Sequence, residues 1–110
     1  MKLYIAVLDE FPDYMTPTLV AHAVLGHHLV SSPIPDYDEW LRLSYRKVVL
    51  RVNQKEFSKI VELPKVTLWH ENKTLDGKKS CAVWLDNGRD TLPNVLKYAK
   101  LWKPKESNNG

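Results

Sequence analysis

The chain has 110 residues, 44% of them hydrophobic and 26% charged, which is enough apolar material for one globular domain and excludes disorder of its body. No apolar run approaches the ~20 residues of a membrane span, the apolar start Met1–Leu8 is cut short by Asp9 and Glu10 where a secretory leader would continue, and the lone Cys81 allows neither an internal disulfide nor a cysteine-built zinc site. The formal net charge of +3 is unevenly spread: residues 1–41 hold one basic and six acidic residues, while 42–110 hold the other fifteen basic residues against seven acidic.

Lys2–Leu8 reads as a first strand, and its nearly unbroken apolar run suits a strand covered on both faces. Phe11–Tyr14 is a loop. Thr16 and Pro17 then open a helix over 16–29, as N-cap and first helical residue, with Leu19, Val20, Ala23, Val24 and His27 at helical spacing. A break with two prolines follows, then a short helix over Asp36–Leu43. Arg46–Val52 is a second strand. Asn53 and Glu56 form a capping box for a helix that carries Phe57, Ile60 and Val61 and ends at Pro64. Lys65–Trp69 is a third strand, Asn72–Lys79 a polar loop with an Asp76-Gly77 turn, and Ser80–Leu85 a fourth strand.

After the Asp86-Asn87-Gly88 turn, Asp90 or Thr91 opens a last helix with Leu92, Val95, Leu96 and Tyr98. Residues 99–102 extend that helix or add an edge strand. This alternation predicts an α/β layer fold, a four-stranded mixed sheet with flanking helices in two or three layers. Its expected core is Ile5, Val7, Val20, Val24, Val49, Leu50, Ile60, Leu68, Val83 and Leu85. The expected domain is 1–103, with a flexible tail over 104–110. The expected location is cytoplasmic.

Glycine is scarce, and no phosphate-cradling loop is present, which argues against P-loop and dinucleotide-binding chemistry. His22, His27 and His28 share one helix, but His22 and His27 lie about 140° apart in azimuth and make poor co-ligands. No metal site and no cofactor are expected. Cys81, inside a strand, reads as a small buried hydrophobe. The basic residues of the later chain, Arg46, Lys47, Arg51, Lys73, Lys78 and Lys79, offer phosphate contacts to a polyanionic partner or form a solvated surface.

Lys2–Leu8, the proline-bearing loop and a helix with Val20-Ala21-His22-Ala23-Val24-Leu25-Gly26 resemble the start of the type II peptidyl-tRNA hydrolase family. The strand 47–52, helix 53–62, strand 66–69 and strand 80–85 resemble the family's following elements, and Tyr98–Trp102 its closing segment. The chain also departs from the family. Its lysine-bearing loop falls on Asp13 and Met15, and its glutamine ahead of the histidine on Leu19. Its Asp-Ala-Gly-Arg-Thr loop falls on His70–Thr74, keeping only Thr74 and replacing arginine by Lys73.

The resemblance implies a peptidyl-tRNA hydrolase II-like fold and cleavage of the ester between a peptide and the terminal ribose of tRNA. It makes His70 or Glu71 the base, Thr74 a hydroxyl donor, and His22 the residue that organises them. The six basic residues named above would hold the RNA. A different class of function is also open: a catalytically silent module on the same fold that binds RNA or another protein.

Overall fold

The computed structural model describes residues 1–71 and 76–105. It is a small α/β protein built on a five-stranded mixed sheet. The strands are β1 (Lys2–Leu8), β2 (Lys47–Val52), β3 (Thr67–Glu71), β4 (Lys78–Asp86) and β5 (Lys100–Leu101), in the order β3-β4-β1-β2-β5. β1 pairs parallel with β2 and antiparallel with β4; β3–β4 and β2–β5 are antiparallel. The fifth strand corrects the expected four: residues 100–101 leave the last helix and pair with Leu50 and Arg51 at the sheet edge.

β1 is central, and its side chains alternate between two cores. Leu3, Ile5 and Val7 pack with Leu19 and Ala23 of α1 (Thr16–Ser31), with Tyr37 of α2 (Pro35–Glu39), and with Trp40 of the π turn that continues α2 to Ser44. Tyr4, Ala6 and Leu8 face Phe57 and Ile60 of α3 (Gln54–Ile60) and Leu96 of α4 (Asn94–Lys97). Helices therefore cover both faces. The Asn53–Glu56 capping box forms as the sequence indicates, and among the described residues no helix is long and apolar enough to cross a membrane.

Of the expected core, Ile5, Val7, Leu50, Ile60 and Val83 are buried, while Val20, Val24, Val49, Leu68 and Leu85 are only half-buried. Tyr37 and Trp40 take their place, because the α2–π segment folds back under α1. Leu50→Ala, at a side chain 2% exposed, is expected to cost about 2–4 kcal/mol, read as a lower denaturation midpoint.

Three boundaries shift for local reasons. β3 starts two residues later than its apolar run, because Lys65 takes a left-handed turn at φ 65° after Pro64. It also continues through His70 and Glu71, so these two belong to a strand and not to a loop. α1 starts at Thr16 itself, after the turn of 3-10 helix at Asp13–Met15, with no side-chain cap. In the expected tail, Lys105 is tied down: its backbone N–H donates to Asp13 and its ammonium pairs with Asp9 at 3.3 Å.

Candidate active site

α1 crosses the face of β3, and three alternate residues of that strand meet three residues of the helix. Alternation brings Thr67, Trp69 and Glu71 to the helix side of the sheet. Thr67 hydrogen-bonds His27 at 2.8 Å, the Trp69 ring lies on Gly26, and Glu71 takes His22. The middle contact needs glycine. A Cβ at Gly26 would overlap the six-membered ring of Trp69. Gly26→Ala is expected to destabilise the fold by about 1–3 kcal/mol, read by thermal unfolding, in spite of alanine's better helix propensity.

The upper contact is chemically the richest. Glu71 is 4% exposed. Its carboxylate lies 3.1 and 3.2 Å from His22 Nδ1 and accepts the Trp69 indole N–H at 3.0 Å. The His22 side chain is 45% exposed. A buried carboxylate that accepts Nδ1–H leaves Nε2 as the free lone pair of the neutral ring, on the solvent side of the helix. Such a histidine can take a proton from water, while Glu71 fixes its tautomer and stabilises the cation that forms. Glu71 is itself buried and occupied, so its role is to orient.

His70 points to the other face of the strand, where its Nδ1 lies 3.2 Å from the Gly77 carbonyl. It does not join His22. Of the four residues expected at the catalytic centre, His22 and Glu71 meet, His70 turns away, and Thr74 lies outside the described residues, as does Lys73. Trp69 packs on the sheet face, as a tryptophan in a strand suggests, and the role of Gly26 is the one the sequence reading leaves unassigned. Its signal is a glycine inside a good helix, four residues after a histidine, which marks a close approach by another element.

The basic residues do not form one surface. Arg51 is held between acids, at 2.9 Å from Asp9 and 3.0 Å from Asp13, with its guanidinium over the Trp102 ring. The hydrogen bond from Arg51 is the main cause that holds the Asp13 carboxyl below the usual carboxylate range. Arg51 is therefore a structural cation with its donors occupied. Arg46 and Lys47 sit at the start of β2, where Lys47 lies over the Tyr45 ring. Lys78 and Lys79 sit at the opposite end of the sheet, beside Glu71 and His70. Lys78 is directly opposite Glu71 in the antiparallel pair and shares its face, which makes it an exposed cation on the strand beside the His22–Glu71 pair.

Burial pushes the Cys81 thiol up to about 12, so it is no nucleophile at neutral pH. No family model matches the chain, and no curated protein matches it.

Proposed function

We propose that the protein is a divergent relative of the type II peptidyl-tRNA hydrolases that cleaves the ester of peptidyl-tRNA, with His22 as general base and Glu71 as the residue that orients it. One observation carries this reading: an exposed histidine on the helix that resembles the family's is held through Nδ1 by a buried carboxylate at 3.1 Å. In this reading the sheet and helices belong to the peptidyl-tRNA hydrolase II-like fold. The roles expected for the two residues are exchanged, since the buried member of the pair cannot meet substrate and the exposed one can. In this reading Lys78, opposite Glu71, offers a phosphate contact, and Lys79 flanks it on the other face.

The purified protein, incubated with peptidyl-tRNA, is expected to release the peptide and leave the tRNA intact. An ester that survives stoichiometric protein would overturn the reading. The catalytically silent binding module has its own support in the outer face of α1, where Leu25 and Leu29 are 60% and 71% exposed. The same assay separates the two.

A further inference from the structure

At the lower end of the α1–β3 contact lies a second, separate feature, a hollow of about 570 Å³. Three segments wall it: the end of α1 with the turn that follows, the loop into β3, and the loop after β4. Its walls are apolar, formed largely by Val30, Ile34, Leu63, Val66 and Leu85. Val30 and Ile34 are 64% and 50% exposed, although both line this hollow. Thr67 lies four residues along β3 from Glu71, or roughly 13 Å, so the hollow is distinct from the His22 centre.

Of the uncharged polar side chains that line it, His27, Thr67 and Ser31 cluster where α1 meets β3, with Tyr37, Asn87 and Thr91 elsewhere on the wall. His27 is 4% exposed, and its Nδ1 is taken by Thr67 at 2.8 Å, with the Ser31 hydroxyl at 3.5 Å. Its Nε2 is buried and has no hydrogen-bond partner among the described residues. A buried polar atom left without a partner costs stability, and such atoms are rare outside functional sites. The charged residues that line it are Asp36, Lys65 and Asp90; Asp36 is paired with Arg89, and Asp90 accepts the Asn87 amide.

We propose that this hollow is a binding site for an uncharged heteroaromatic molecule of one or two rings. Its flat body would lie against the apolar walls, and one ring heteroatom would reach the unpartnered nitrogen of His27. The size is in the range of small-ligand pockets, and the balance of apolar wall to a few convergent polar groups is what such pockets show. A charged ligand is disfavoured at the His27 end, because His27, Thr67 and Ser31 offer no counter-charge there and burial would strip its water. The ligand's nitrogen is a donor or an acceptor according to which His27 nitrogen carries the proton.

Indole and quinoline supply the two cases and serve as probes. Titrated into the ¹⁵N,¹³C-labelled protein, at least one is expected to saturate a single site and to shift the methyl signals of Val30, Ile34 and Val66. Benzoate and benzylamine, of similar size but charged, are expected to bind at least tenfold more weakly. His27→Phe, which keeps a ring and removes both nitrogens, is expected to weaken the better probe about tenfold or more. The methyl shifts in the wild-type protein decide the matter even where that variant does not fold. Failure of both probes, shifts confined to other surfaces, or equal binding of the charged pair would overturn the proposal. None of these readouts depends on ester cleavage.

Discussion

Replacing His22 by Ala is expected to lower peptidyl-tRNA cleavage by about 10²- to 10⁴-fold with little change in RNA affinity, the range that a positioned general base contributes. On the proposed reading the effect lies in kcat, because His22 would act on the attacking water and would make no anchoring contact with the RNA. Stability should fall too, since the buried Glu71 carboxylate keeps only the Trp69 N–H, so rates are compared at a temperature where both proteins are folded. His70→Ala should leave the rate close to wild type, because that ring faces the other side of β3 and serves the Gly77 carbonyl. The contrast between these two histidines, near each other in space only through the strand between them, separates the present assignment from one that makes the residue aligned with the family's aspartate the base. Equal losses from both would count against it.

The second large effect concerns acid stability. Burial, with a smaller contribution from neighbouring His28, pushes the His27 imidazole down from 6.5 to about 4. Its surroundings offer no carboxylate within hydrogen-bond distance; Thr67, Ser31 and the edge of the Tyr37 ring surround it. In the unfolded chain the group titrates near its ordinary value. Between pH 6.5 and 4 the unfolded chain therefore binds a proton that the folded chain refuses, and stability falls as the pH drops through this window. The loss from His27 is complete below pH 4 and amounts to about 3 kcal/mol. Chemical denaturation at pH 7, 5.5 and 4 reads it directly. In His27→Gln, which has no proton to gain, the decline across this window should be shallower by that amount. Parallel curves for the two proteins would contradict the assignment.

Much of the architecture was legible because hydrophobic pattern and turn chemistry agree. β1 reads as a strand buried on both sides and is one, and Asn53 and Glu56 announce their helix start. What the pattern could not show is tertiary. Val20, Val24 and Leu85 are as apolar as any core residue, yet they are half-buried, because Tyr37 and Trp40 fold under α1 from a segment with two prolines and little periodicity. For residues 99–102 the sequence leaves a helix extension and an edge strand both open, and pairing of residues 100–101 with β2 decides for the strand.

The candidate site was legible as a set of residues and not as a set of roles. His22 and Glu71 are 49 positions apart, and only the crossing of α1 over β3 joins them. Which of His70 and Glu71 faces the helix follows from strand alternation, and that requires knowing that the strand runs on to Glu71. Burial then decides the roles. Arg51 illustrates the same limit for charge: in the sequence it is one more basic residue, but in the fold Asp9 and Asp13 have already claimed it.

The central claim is that a carboxylate at position 71 holds His22 in the tautomer that leaves Nε2 free. Glu71→Gln tests it with minimal change of shape. The Trp69 N–H would keep the amide oxygen at the Oε1 position, which is also 3.1 Å from His22 Nδ1, while the amide N–H₂ would take the Oε2 position at 3.2 Å, so the variant removes the negative charge and one of the two acceptors that Nδ1–H has in the wild type. Single-turnover cleavage of peptidyl-tRNA by wild-type protein and by Glu71→Gln, with the ¹⁵N shifts of His22 recorded on both, measures rate and tautomer together. The account predicts a slower ester cleavage by about 10²-fold or more in the variant, because a neutral amide neither stabilises the His22 cation nor holds Nδ1–H as a carboxylate does. A folded variant that cleaves as fast as wild type, in either tautomer, would contradict it.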